Sequence, residues 1–358
     1  MTIFPKTADI TRCKRVKFGI DPTFPRLHLG HLVPIRLVNK MIEEGKDVTI
    51  VLGTFTAQLG DPSGRDKTRP ILSPEEVETN ADSILQFLNK LLKPGFSVFR
   101  NGDFFKEMPV TEFMGIVSKF TLAHMTSRDA FQDRIAQGNS IGMHELLVPV
   151  CQGWDSVVLN SEIEIGGQDQ LFNFQMARQL QEQQNQTPQA CIMMPIINGT
   201  DGRKMSKSLN NCIFLDEDPN EIFGKVMSIP DDVMNEWIPL LTDAISDVIH
   251  DWHPMQKKKM LATEIVAQLH GMVAAVAAEA KFTATFSNKE IPADAINVNA
   301  GSVMSVALKI TGESKAGVRR LIEAGAVKVN GEKVFNENIE LTTGQNIQIG
   351  KRKFGKII

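Results

Sequence analysis

The sequence predicts an α/β protein: a parallel-sheet domain first, then an α-helical domain, then a small α+β domain at the end. Three observations carry this. VKFGI (16–20), a helical pattern (29–44) and VTIVL (48–52) follow one another as strand, helix and strand; such a βαβ unit implies a parallel sheet with its ligand site beyond the strand ends. Residues 217–285 read as helices. Residues 301–358 read as two short helices and then strands, with a hairpin turn at Asn330–Gly331. The expected domains are 1–216, with a helical insertion at about 104–160, then 217–290 and 301–358, with 291–300 as a linker.

The first helix stops at Gly45, a natural C-terminal cap, and Pro34 fits if it lies in the first turn. The loop 53–70 is polar and rich in turn residues. A helix over 74–92 is capped by Ser73, and 98–100 is a short strand. Residues 104–160 are mainly helical, most clearly 144–159; a helix over 170–183 and a strand over 190–195 follow. The loop 197–211 precedes the helical region, whose longest pattern is 257–281.

Composition narrows the class. The chain is 42% hydrophobic and 23% charged, ordinary for a soluble globular enzyme, and no apolar run reaches the length of a membrane span. Met1–Arg15 has no apolar core followed by a cleavage site, so no signal peptide is expected. Cys13, Cys151, Cys191 and Cys212 are far apart, so neither a disulfide framework nor a zinc site is expected, and a reducing cytoplasm fits. The net charge is -3, yet residues 301–358 hold ten Lys/Arg against five Glu, +5, which leaves -8 for the rest. A basic tail on an acidic body suits an anionic partner or simply a solvated end. The chain has no tyrosine, where this length usually holds on the order of ten.

Five motifs carry chemistry. His28-Leu-Gly30-His31 opens the first helix, where free N–H groups and imidazoles can meet a phosphate; alone, the pattern is more often two surface histidines. Lys204-Met-Ser-Lys207-Ser208 lies in a Gly-rich loop able to close over a triphosphate; alone, it reads as a solvated basic loop. Gly60-Asp61-Pro-Ser-Gly64-Arg65, between Thr56 and Arg69, offers a carboxylate for an ammonium, or an ordinary Asp-Pro turn. Gln152 and Asp155 are three apart on one helix with apolar flanks, so they share a partly buried face. Gly166-Gly167-Gln168-Asp169-Gln170 offers a close backbone approach and an acceptor for ribose hydroxyls, or a capped turn.

HxGH after the first strand and KMSKS some 170 residues later, with FGIDPTFPRLHLGH, GDPSGR, QGWDS and GGQDQ in order, resemble bacterial tyrosyl-tRNA synthetases of the KMSKS subgroup over about 16–215. SKAGVRRLIEAGAVKVNGEKV (314–334) resembles their S4-type RNA-binding module. The resemblance implies a Rossmann-like catalytic domain, a helical anticodon domain and a homodimer joined through 105–159. It implies ATP with Mg²⁺ as substrate, no tightly bound metal, and tRNA(Tyr) and L-tyrosine as partners. Asp155 would receive the phenol, Asp61 and Gln152 the ammonium, and Gln170 would lie near the carboxylate. Lys17, Gly19, Asp21, Thr56 and Val148 would complete the amino-acid site. Thr23, His28 and His31 would serve ATP, with Gly30 admitting a flat ring; Gly167 and Asp169 would serve the ribose. Lys204, Lys207 and Ser208, with Arg65 and Arg69, would hold pyrophosphate.

The sequence departs from this pattern at Val148, where the resembled enzymes usually place a tyrosine hydroxyl near the ammonium, and at Lys17, where a tyrosine commonly meets the phenol. About 15 residues precede the first strand, fewer than usual. Three rivals remain at this point: a paralogue activating another amino acid, a synthetase-derived RNA-binding protein, and a small-molecule nucleotidyltransferase.

Overall fold

The computed structural model describes residues 1–60, 72–244, 246–287, 295–350 and 353–358. The chain forms two compact units, 1–272 and 273–358.

Among the described residues of the first unit, β1 (Thr2–Phe4), β2 (Arg15–Ile20), β3 (Asp47–Leu52), β4 (Phe96–Arg100), β5 (Ile163–Gly167) and β6 (Ala190–Met194) form one sheet, in the order β1-β6-β5-β2-β3-β4. All neighbours are parallel except the edge strand β1, which runs antiparallel to β6. The chain builds outward from β2 to β3 and β4, then restarts on the other side with β5 and β6. The switch point therefore lies between β2 and β5, where a ligand crevice is expected. Val16, Phe18, Val48, Ile50 and Leu52 on one face and Lys17 and Val51 on the other are buried, as strands covered on both faces require.

The sequence reading missed β1 and β5. β5 begins Ile-Glu-Ile, and a central glutamate reads as solvent-facing; here Glu164 stands beside Lys17 of β2 in the parallel register and is buried with it.

The helices of this unit begin with α1 (Leu29–Glu43), α2 (Thr56–Leu59), α3 (Pro74–Leu91), α4 (Asn101–Glu107), α5 (Val110–Val117), α6 (Leu122–Met125), α7 (Asp129–Ala136), α8 (Met143–Val158) and α9 (Leu171–Gln183). Ser73 caps α3 through a reciprocal box with Glu76, two backbone donors satisfied at once. Pro34 is the sixth residue of α1, not in its first turn as expected, and cannot donate to the Gly30 carbonyl. α10 (Pro219–Met227), α11 (Asp231–Leu241), α12 (Ser246–Ile249) and α13 (Pro254–His270) follow. The long pattern expected over 257–281 is two helices: Gly271, at φ 86°, ends α13 before α14 (Met272–Phe282).

In the second unit, β7 (Ile296–Val298), β8 (Gly301–Ser302), α15 (Val303–Thr311), α16 (Lys315–Glu323), β9 (Val327–Val329), β10 (Glu332–Lys333), β11 (Glu340–Leu341), β12 (Asn346–Ile349) and β13 (Lys353–Ile357) enclose a core that includes Val303, Val318, Val327 and Ile347. The sheet order is β10-β9-β12-β13-β7, with β11 and β8 paired separately. Asn330 and Gly331 both have positive φ, as the β9–β10 turn requires. The segment read as a linker contains β7, whose apolar Val298 joins this core and which pairs in parallel with β13. The four cysteines are free thiols. No described helix is long and apolar enough to cross a membrane.

Candidate active site

At the switch point a cavity of about 290 Å³ opens between the ends of β2 and β5, walled by α1 and α8. Its floor is Asp155 of α8, 2% exposed. Asp155 Oδ2 accepts from Asn101 Nδ2 at 3.1 Å, while Oδ1 is sealed from solvent with no partner among the described residues. Burial, partly offset by Lys17, pushes its carboxyl up to about 7. An acceptor left without a partner in a dry place is costly and calls for a donor from a ligand. Asn101 also accepts from the Phe55 N–H, which ties the start of α2 to the floor. Thr56 of α2 donates to Asp21 Oδ1 at 2.7 Å, and both line the cavity with Gly19.

Lys17 was expected to touch a ligand, and its ammonium is already committed. Nζ donates to the Gln152 carbonyl at 2.7 Å and Ser156 Oγ at 2.8 Å, and pairs with Glu164 Oε1 at 2.8 Å. Three protons meet three acceptors. Glu164 Oε2 in turn accepts from Ser156 and from Gln189. The buried pair braces the wall beside Asp155; leaving either charge alone there would be strongly destabilising.

At the mouth, His28 caps α1: its Nδ1 accepts from the Gly30 N–H at 3.1 Å, which places the ring proton on Nε2. The His28 N–H reaches His31 Nδ1 at 3.2 Å, and the rings meet edge to face at 4.2 Å. Burial lowers His28 to about 2 and His31 to about 4, with Lys207 and, for His28, the other ring adding to it. Both are therefore neutral at pH 7 and can donate to phosphate oxygens without carrying charge. A Cβ on Gly30 would lie 2.9 Å from the His28 ring, so glycine permits this cap.

The two distant motifs converge. Leu29 N donates to Ile213 O and Leu215 N to Leu27 O, which fastens the segment after KMSKS to the turn before HxGH. Lys207 Nζ lies 4.3 Å from the Phe24 ring centroid. Lys204 Nζ stands 3.5 Å from Asp169 Oδ2. Ser208 and Ser206 share a hydrogen bond. The loop is shaped by Asn211, 2% exposed. Its side chain accepts from Ser206 N and donates to Asp201 and to the carbonyls of Arg203 and Lys204. A Cβ on Gly199 would fall 2.5 Å from Asn211.

Gln152, Gly167, Asp169 and Gln170 line the cavity with Gly30 and His31. Thr23, His28, Lys204, Lys207 and Ser208 are not among its lining residues, and Val148, fully buried, is not either. Asp61, Arg65 and Arg69 lie outside the described residues. Sequence reading missed Asn101, Ser156, Glu164, Asn173 and Asn211. Each is a polar residue in an apolar or turn context, and only burial distinguishes it from a surface residue.

The family model of class I tRNA synthetases (W and Y) matches residues 10–287. The chain is 41% identical to the tyrosine–tRNA ligase of Dehalococcoides mccartyi (strain CBDB1) and 42% identical to that of Francisella tularensis, covering 96% of this chain and 91% of each relative. Its fold is similar to a truncated mitochondrial tyrosyl-tRNA synthetase of Aspergillus nidulans (TM-score 0.65, 22% identity, 76% of this chain and 86% of that one). It is also similar to the Archaeoglobus fulgidus tyrosyl-tRNA synthetase complexed with L-tyrosine (TM-score 0.59, 18% identity, 74% and 90%).

Proposed function

Since this chain belongs to the class I tRNA synthetases (W and Y) and activates tyrosine with ATP for transfer to tRNA, we propose that tyrosine enters the cavity phenol first, with its hydroxyl on Asp155. The observation that carries this reading is Oδ1 of Asp155 at the cavity floor, buried and with no partner among the described residues. The ammonium faces Gln152 and Asp61, and the carboxylate lies by Gln170. ATP sits at the mouth, its phosphates by Thr23, His28 and His31 and its ribose by Gly167 and Asp169. Lys204, Lys207 and Ser208, with Arg65 and Arg69, take the pyrophosphate. Mg²⁺ comes with ATP as part of the substrate.

No covalent enzyme intermediate and no strong base are needed. The tyrosine carboxylate is already an anion; it attacks the α-phosphorus in line, the new O–P bond forms and the bond to pyrophosphate breaks. The chain supplies alignment and charge. Two neutral histidines and the N-terminus of α1 stabilise the phosphate oxygens, and the lysines stabilise charge as it moves onto the leaving group. Lys204 must leave Asp169 for the ribose to bind, so the loop shifts between states. The surface ion pair it gives up is a weak one.

The helices over 219–270 suit anticodon binding and the basic C-terminal unit suits tRNA. The exposed apolar side chains of Val110, Met114, Leu122, Ile135 and Met143 suit the face of a homodimer. The cytoplasm is the expected compartment.

ATP–pyrophosphate exchange tests the reading. Tyrosine should support exchange at least about tenfold better than phenylalanine or tryptophan, because phenylalanine leaves Asp155 Oδ1 buried without a ligand donor. Comparable exchange with all three would sink it.

A further inference from the structure

Asn211 stands three residues past Ser208 and is buried, yet it is not among the residues that line the cavity. Its polar contacts differ in length. Oδ1 accepts from Ser206 N at 2.8 Å, and Nδ2 donates to Asp201 Oδ1 at 2.7 Å. The second Nδ2 proton meets two carbonyls, that of Arg203 at 3.3 Å and that of Lys204 at 3.2 Å. These lie at the long end for an N–H···O bond, so the proton is shared and neither carbonyl holds it firmly. The base of the loop is fixed by other groups. Asn198 N and Nδ2 each donate to Glu236 at 2.8 Å, Trp237 Nε1 donates to Asn198 O at 2.9 Å, and Met205 N donates to Ile197 O at 3.1 Å. Met205 is itself buried between the two lysines of the motif. Lys204 and Ser206, one on each side of this anchor, offer the backbone groups that Asn211 grips.

We propose that Asn211 is a positioning residue for the departure of pyrophosphate: it sets the backbone on either side of Met205 and so aims Lys204 and Lys207. This role rests on the placement of pyrophosphate given above. Lys204 Nζ lies 3.5 Å from Asp169 Oδ2 and must turn away for the ribose to bind. The short bonds to Asp201 and Ser206 hold the two sides of the turn through that shift. The shared proton follows the Lys204 carbonyl as its peptide turns, or returns to that of Arg203. The motif thus moves without stripping a buried donor of its partner. An amide is suited to this, since it accepts from an N–H and donates to a carboxylate and to carbonyls at once. An ionised carboxylate of the same shape only accepts, and would set lone pairs against Asp201 and both carbonyls. Asn211 acts through the lysines rather than on the substrate.

The test uses the full chain with Asn211→Asp, which keeps the shape and removes both donors, and with Asn211→Ser, which shortens the side chain without adding charge. The readouts are the pre-steady-state rate of adenylate formation, Kd for tyrosine, and the rate at which preformed adenylate is transferred to tRNA. Thermal melting checks that each variant is folded. Adenylate formation should slow by about tenfold or more in both variants, with Kd for tyrosine and the transfer rate within about twofold of the parent. With Lys207→Ala added, each double variant should be slower than Lys207→Ala alone by no more than about threefold, because the losses share one cause. The inference is overturned if transfer slows by the same factor as adenylate formation, since the residue then only holds the fold. It is also overturned if adenylate formation keeps the parent rate, or if the two losses multiply in full. Failure of the underlying placement shows separately: Lys207→Ala would then leave adenylate formation at the parent rate, whatever Asn211 does.

Discussion

Lowering the pH should weaken tyrosine binding through Asp155 alone. Its carboxyl, ordinarily near 3.8, is pushed up to about 7 by burial, while Lys17 and the Asn101 hydrogen bond pull it down and Glu164 and Asp21 push it up. A phenol donates its proton to the ionised form. The empty site is ionised in roughly nine tenths of molecules at about pH 8 and in roughly one tenth at about pH 6. Tyrosine affinity should therefore fall about tenfold over that interval. The histidines at the mouth do not share in it, since His28 at about 2 and His31 at about 4 stay neutral throughout. Folding is linked to the same carboxyl in the opposite direction. Between about pH 4 and 7 the folded chain keeps a proton that the unfolded chain has lost. The ligand-free protein thus loses stability as pH rises through this window, by about 4 kcal/mol in full. Tyrosine returns part of this by supplying the missing donor. Calorimetric titration of tyrosine and of phenylalanine from about pH 6 to 8 measures the slope. An affinity for tyrosine that stays level, or an Asp155→Asn variant with the parent's slope, would refute the assignment.

Lys207→Ala should slow adenylate formation by about 100-fold or more while changing the Kd for tyrosine little, because the lysine acts on charge that develops as pyrophosphate leaves; pre-steady-state kinetics separates the two. Removal of residues from Ile296 onward should spare pyrophosphate exchange, weaken tRNA binding and flatten its salt dependence, as filter binding at several salt concentrations would show. Val148→Tyr should lower stability by about 1–3 kcal/mol in a denaturant melt without tightening tyrosine binding, since Val148 is fully buried and is not a lining residue. In a tyrosine-depleted translation system, a message for this chain should be completed while a tyrosine-containing control stalls, because the chain has no tyrosine to insert. Equal stalling would remove any functional meaning from that absence.

What the sequence revealed and what it hid divide along a physical line. HxGH, GGQDQ and KMSKS could be placed from sequence because each sits on one local element: a helix N-terminus, a turn and a loop. The helix–strand order was legible from apolar runs, and Ser73–Glu76 from capping chemistry. The supports of the site were not. That Lys17 stands beside Glu164 depends on the register of β2 against β5, which neither strand specifies by itself. Asn101, Asn173 and Asn211 each hold segments that are distant or looped back, and an asparagine in sequence looks the same whether it caps a turn or braces a buried carboxylate. The Gly271 break passed unseen because good helix formers flank it, with Lys, Gln, Met and Leu before it and an alanine-rich run after it.

The missing tyrosines and the exposed logic of Asp155 are connected. The resembled enzymes commonly place a tyrosine where Lys17 stands, with its hydroxyl near the phenol. Here the ammonium at that position is committed to Gln152, Ser156 and Glu164, so it acts on Asp155 only through its charge. Among the described lining residues the one hydroxyl is that of Thr56, and it is given to Asp21. Ring packing does not suffer: phenylalanine fills it, with Phe55 stacked on Phe105 at 4.8 Å and Phe104 set edge to face against Phe105. What a phenylalanine cannot supply is a polar tip. Under the proposed placement, recognition of the substrate phenol rests on one carboxylate oxygen, with Asn101 holding the other. A site with a second hydroxyl beside the phenol could trade one contact against another as the carboxylate gained a proton. Among the described lining residues no second hydroxyl is left for the phenol, so under the proposed placement the proton that Asp155 takes up competes directly with the substrate's own.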